Sequence, residues 1–305
     1  MKDTQLRELK RWFRTYSRSF AMRDPDDQRN LDLKTDHTRR VCEAILDIGR
    51  SLRLNADDLR LAEAAALLHD AGRFEQYRRY HTFMDSKSED HAELGVRVLE
   101  DHGVLDSLNR EEARILRSAV RVHNRLAIPK NMDETCLLFS RLLRDADKVD
   151  VYKVVTDYYR IAHESPNETI QLDLPDVPEI SESVVRDIRN RHVVLKEHLR
   201  TLNDFKLLQM GWIYDIYFPR TFQIVRERRY LDLILRSMPD RKEIRGLGGR
   251  LRADLDRFCA ESAVRPPHPA GRDRRPSWRN GRKHIRETGC SKQERESIKR
   301  TRGFS

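Results

Sequence analysis

Apolar residues recur at helical spacing along most of the chain, and nowhere do they alternate for long enough to build a strand. Residues 3–21 place Leu6, Leu9, Trp12 (or Phe13) and Tyr16 on one stripe, which predicts an amphipathic first helix. The polar run DPDDQRN at 24–30 breaks that pattern. A second helix is predicted from about Leu31 to Leu54, with Leu33, Val41, Ala44 and Ile48 facing one way and His37 on the same stripe. Asn55 reads as the cap of a third helix, Ala56–Ala71, made mostly of alanine and leucine, and Gly72 reads as its stop. Arg73–Lys87 shows no sustained period and is expected to form a loop with one short helical turn. Ser88 is expected to cap the next helix, which carries His91, Leu94, Gly95 and Val98 on one side and ends near Gly103. Asn109 opens another, where Leu116, Ala119, Val120 and His123 share a face before Pro129 stops it. A long helix follows from Asp133 to about Ala162.

Residues 164–180 have the composition of a linker. Helices are predicted again at about 181–200, 203–217, 219–237 and 240–261, and FKLLQMGWIYDIYF, the most apolar stretch, should close the core. From Ala263 onward Pro, Arg, Gly and Ser dominate and periodicity vanishes, so disorder is expected. The expectation is an all-α protein. Its predicted parts are an N-terminal helix (1–24), a main helical domain (25–163), C-terminal helices completing the core (164–262) and a disordered basic tail (263–305).

Composition changes this picture in two places. The chain has 305 residues and a net charge of +10, but 13 Lys/Arg against 4 Asp/Glu fall in 263–305. The remainder holds 47 basic and 46 acidic groups, so the helical part is nearly neutral and the tail is the basic object. No apolar run approaches the roughly 18 residues that span a bilayer, and MKDTQLRELKRWF lacks a signal-peptide core, which predicts a cytoplasmic protein without a membrane partner. Cys42, Cys136, Cys259 and Cys290 are scattered without a CxxC pair, as expected of reduced thiols.

Candidate chemistry centres on His69-Asp70, at the end of the Ala/Leu-rich helix. Adjacent helical side chains diverge by about 100°, so both reach one cation only if it sits over the flank between them. Three acids compete further on. Asp147 lies four residues from both Leu143 and Val151, inside an apolar stripe; Asp145, between Arg141 and Lys148, reads as part of a solvated ion-pairing face; Asp150 is intermediate. Burying an unpaired carboxylate is costly, so Asp147 needs a partner, and a metal would suffice. The candidate ligands in order are therefore His37, His69, Asp70, His91, His123 and Asp147, on five predicted helices.

This H…HD…H…H…D pattern resembles the HD-domain superfamily of metal-dependent phosphohydrolases over about residues 31–160. LLHDAGRF is similar to that superfamily's HD-x-G-K/R stretch, DADKVD to its closing segment, and RFEQYRRYHTFMDSKSEDHAELG to a bacterial subgroup of HD proteins. The resemblance implies an HD-domain helical bundle and a metal held by His37, His69, Asp70 and Asp147. Asp70 would bridge to a second metal bound by His91 and His123. Imidazole with carboxylate suits Mn²⁺, Fe²⁺, Co²⁺, Ni²⁺ or Zn²⁺, with Mg²⁺ also possible, two ions per chain being expected. Such a pair would activate a water for attack on phosphorus. The implied substrate is a small phosphorylated molecule, a nucleotide or other phosphate ester. Asp70 would be catalytic as the bridge, Arg73 would contact phosphate or lie on the surface, Lys148 would be a second phosphate contact, and Glu89 or Glu93 would relay a proton.

Other histidines leave less to choose from. His102 and His198 are expected to pack or to end helices, His81 to touch substrate or lie on the surface, and His163, His192, His268 and His284 have no supporting pattern. No GYP signature follows His123, no alarmone-synthetase domain is present, and no P-loop, G-x-S-x-G or H-E-x-x-H motif offers competing chemistry. Two other classes stand beside the hydrolase. One is a mixed-valent di-iron oxygenase on the same ligand set. The other is a regulatory or nucleic-acid-binding protein whose tail surrounds Trp278 with Arg272, Arg274, Arg275, Arg279, Arg282 and Lys283, against a simpler reading of that tail as a solvated extension.

Overall fold

The structure, a computed structural model, describes residues 1–161 and 174–264. They form helices α1 (Asp3–Arg18), α2 (Pro25–Ser51), α3 (Ala56–Leu68), α4 (Ala71–Tyr80), α5 (His91–Asp101), α6 (Arg110–Val122) and α7 (Glu134–Ile161). After these come α8 (Glu182–Arg189), α9 (Leu202–Gly211), α10 (Pro219–Glu227), α11 (Tyr230–Arg236) and α12 (Lys242–Val264). No strand occurs among the described residues, so the protein is all-α as the pattern predicted. The expected disorder of the tail and most of the 164–180 linker lie outside the described residues, as do His163, His268, His284, Cys290 and the tail's Arg/Trp cluster.

Helix α3 is the hub. From Leu61 onward it is apolar apart from Glu63, and Ala62, Ala64, Ala65, Ala66 and Leu68 are each 0% exposed. Small side chains let neighbours approach closely, and α3 packs against α1, α2, α6 and α7. Asn55 caps it as predicted, its side chain accepting the Asp58 amide at 2.9 Å. Helix α7 is the second spine: α2, α3 and α6 pack on it, and so do α10 and α11 from the C-terminal part.

Several boundaries differ from the sequence reading, each for an identifiable reason. The run at 24–30 starts a helix and does not end one, since α1 already stops at Arg18; Asp24 caps the amides of Asp26 and Asp27 and Pro25 occupies the first turn. Arg73–Lys87 is largely helical: α4 runs to Tyr80 and closes on His81 in the left-handed region at φ 50°. Gly72 is inside that helix and stops nothing. A Cβ there would lie 2.2 Å from the His91 carbonyl oxygen and 2.6 Å from the Gly95 nitrogen, so glycine serves the close crossing of α4 and α5. The cap of α5 is Asp90, with Ser88 instead bonded to Met84 O at 2.8 Å. The 219–237 segment splits at Arg229, whose φ of 55° ends α10 and starts α11.

Candidate metal centre

Four helix termini and two helix interiors meet in one place. His69 is the C-cap of α3 and Asp70 the N-cap of α4; His91 opens α5; His123 is the C-cap of α6; His37 comes from within α2 and Asp147 from within α7. The chain turns sharply between α3 and α4, so His69 and Asp70 need not share one helical surface, which removes the divergence a continuous helix would impose.

The two oxygens of Asp70 face different histidine pairs. Oδ2 lies 3.6 Å from the Nε2 atoms of both His37 and His69, whereas Oδ1 lies 3.6 Å from Nε2 of His91 and 3.7 Å from Nε2 of His123. Within the pairs, Nε2 to Nε2 distances are 3.2 Å for His37 and His69 and 3.0 Å for His91 and His123. Asp147 Oδ1 joins the first group, 3.2 Å from His37 Nε2 and 4.0 Å from His69 Nε2. All six predicted ligands are thus brought together. His69 is fully buried, and His37, Asp70, His91 and His123 nearly so.

Every imidazole is oriented from behind through Nδ1. His69 and His123 each donate to the carbonyl three residues earlier, Ala66 O and Val120 O, at 2.7 Å. His37 Nδ1 meets Asp150 at 2.7 Å, and His91 Nδ1 meets Asp85 at 2.7 Å. Protons held at Nδ1 leave the Nε2 lone pairs of His69, His91 and His123 directed inward, and that of His37 too once its second proton is given up, the arrangement of metal-binding histidines. Two donors about 2.1 Å from one ion and about 90° apart are separated by about 3.0 Å, close to the nitrogen spacing found in each pair. The donor set therefore fits divalent metal binding, in two groups that share Asp70.

The electrostatics agree. Burial would raise Asp70, but the Lys34 ammonium 3.0 Å from Oδ2, with His69, His123 and Arg73, holds it well below the usual carboxylate range. Burial pushes His69 down to about 4 and, helped by Arg73, His91 down to about 3, so both rings are neutral donors. His37 goes the other way: burial opposes its charge, yet hydrogen bonds to Asp147 and Asp150 raise it to about 9. In the absence of a cation, a proton on His37 takes up the surplus negative charge of these carboxylates.

Other assignments change. Asp145 is not on a solvated face; it is 0% exposed and accepts the backbone amides of Tyr217 and Phe218 at 3.0 and 2.9 Å. Asp150 is buried, bound to His37 and Arg40. Arg73 is not a surface charge, because Nη1 donates to Gln76, Phe83 O and Asp85 and Nε lies 3.7 Å from Asp70 Oδ1. Lys148 directs its ammonium to Asp215 at 2.9 Å. Glu89 pairs with Arg79 and Arg97, and Glu93 with Arg121 and Arg125, so neither is a free proton relay. His81 is exposed, 3.4 Å from Asp27, while His102 packs edge-on against Trp12 and Tyr16 and His198 bonds Asp187 at 2.6 Å.

Sequence reasoning missed Lys34, Asp85, Arg40 and Gln76. Lys34 had a usable signal, since it sits three residues before His37 and shares its helical face. Asp85 had none, lying in a short 3₁₀ turn at Asp85–Lys87 whose placement depends on Arg73 and Gln76 from α4.

Among the described residues, no helix is long and apolar enough to cross a membrane. Comparison with curated proteins and with solved structures gives no match. The family model of the HD domain matches residues 35–152, a span that contains all six converging side chains. Residues 35–152 therefore form an HD domain.

Proposed function

We propose that this protein is a metal-dependent phosphohydrolase that cleaves a nucleotide or another small phosphate ester. The observation that supports this reading best is Asp70, whose two oxygens each face a different pair of inward-directed imidazoles. In this reading His37, His69, Asp70 and Asp147 hold one divalent cation, and Asp70, His91 and His123 hold a second. Bound there, such cations would acidify a water and neutralise phosphoryl oxygens, the two requirements of phosphate ester hydrolysis.

The chain's own groups do the rest. Asp85 and Asp150 keep two rings in the donor tautomer, and the backbone keeps the other two. Lys34 and Arg73 flank the Phe83 ring, at 5.2 and 5.9 Å from its centroid, and place two positive charges beside Asp70. Both would attract an anionic substrate and counter charge that grows on a phosphoryl group. Arg73 is braced by Gln76 and Asp85, which fixes its guanidinium in advance of binding. Lys148, held by Asp215, belongs to the support of the site and not to its contact surface.

The test is metal analysis of the purified protein, followed by a screen of nucleotides and phosphomonoesters with Mn²⁺, Co²⁺ or Mg²⁺ added. Phosphate release that disappears in Asp70→Ala together with both cations is the expected result, while His91→Ala should keep one cation. Redox-active iron with no phosphate release on any substrate would overturn the hydrolase reading in favour of oxygen chemistry.

A further inference from the structure

The C-terminal helices do more than cover the core. Arg144, on α7 three residues before Asp147, is only 4% exposed, and its two amino groups point in different directions. Nη1 faces the end of α6, donating to Val122 O at 3.2 Å, to His123 O at 3.0 Å and to Arg125 O. Nη2 pairs with Asp215, from the 3₁₀ turn Trp212–Asp215. The last carbonyls of a helix have no partner within it, so a buried guanidinium at this point acts as the cap of α6 supplied by a different helix. The capped residue is His123.

Asp215 is itself fixed. Tyr217 donates its hydroxyl to Oδ1 at 2.7 Å, and Lys148 reaches Oδ2 at 2.9 Å. Two residues on, the amides of Tyr217 and Phe218 bind Asp145, which neighbours Arg144 on α7. One short segment, 215–218, thus grips α7 at Arg144, Asp145 and Lys148 and reaches the end of α6 through Arg144.

We infer that Asp215 and Arg144 are positioning residues that set the backbone of His123, and with it the second of the two cation positions. The inference rests on the metal reading given above. It assigns to Asp215, which lies outside the 35–152 match, a specific task at the centre. The first position meets the clamp only through α7, which carries Asp147; its two imidazoles are held elsewhere, His37 by Asp150 and His69 by Ala66 O.

The experiment uses the full chain and titrates Co²⁺, reading stoichiometry and the visible spectrum of each site, with thermal stability recorded in parallel. Asp215→Asn is expected to weaken the second cation about 10–100-fold while leaving the first bound, the size seen when support of a ligand is lost. Tyr217→Phe, which removes only one hydroxyl from Asp215, should show a smaller loss at the same site and decides the matter if Asp215→Asn does not fold. Asp254→Asn is the control: it removes a buried carboxylate that pairs with Arg191 and Tyr214 elsewhere in the C-terminal helices. It should lower stability without changing either cation. Equal loss of both cations in the Asp215 and Tyr217 variants, or a matching loss in Asp254→Asn, would overturn the positioning role. Unaltered binding of both cations in those two variants would do the same. Wild-type protein that takes up no cation would instead sink the underlying metal reading, so the two failures are distinguishable.

Discussion

At the scale of single residues, Asp145 and Asp147 are two positions apart and have opposite tasks. Asp147 turns its Oδ1 toward the imidazoles of His37 and His69, whereas Asp145 is sealed against the amides of Tyr217 and Phe218. Asp145→Ala removes the acceptor of two backbone amides, the buried one of Phe218 at a cost of about 1–3 kcal/mol, and is expected to lower the unfolding free energy measurably in urea. Asp147→Ala should keep most of that stability and lose cation binding and phosphate release. A titration showing the reverse pattern would mean that the acids have been assigned the wrong way round. The sequence pattern identified Asp147 through its apolar stripe but misread Asp145, because the rule for neighbouring charges on a helix assumes that the face is wet. That face is covered by residues 215–218, some 70 positions away along the chain, and local spacing carries no trace of so distant a contact.

At the scale of helices, the α4–α5 crossing fixes how far His91 stands from Asp70. Gly72 meets the His91 carbonyl and Gly95 so closely that even one methyl group has no room. Gly72→Ala should cost about 1–3 kcal/mol by overpacking and should weaken the cation bound by His91 and His123 more than the one bound by His37 and His69. Unchanged affinity at both positions, measured by calorimetry, would show that α5 yields without moving its histidine. Which helices exist was largely legible from period and caps: Asn55 and Asn109 cap α3 and α6 as expected. Helix α4 was not, because it owes its existence to tertiary burial. Phe74 and Gln76 are each 0% exposed, and polar residues such as Glu75 and Gln76 hide the apolar period.

For the molecule as a whole, the converging donors and their supports all lie within residues 1–264. Truncation after residue 264 should leave the melting temperature and cation content unchanged and remove only what the basic segment 265–305 does by itself. If the full chain binds nucleic acid in a salt-sensitive way and the truncated chain does not, the tail carries that binding; equal binding by both would locate it elsewhere. The charge distribution made this separation visible in the sequence, since nearly all of the +10 excess falls beyond residue 262.

Within each histidine pair, one ring is anchored by its own helix's backbone and the other by an aspartate from elsewhere in the chain. His69 and His123 owe their aim to carbonyls that no substitution can delete, while His37 and His91 owe theirs to Asp150 and Asp85. Each histidine pair accordingly has one invariant contact and one adjustable contact. On the proposed metal reading, editing either aspartate would loosen the aim of one ring in one pair while its partner ring keeps its backbone contact, so the two pairs can diverge one aspartate at a time.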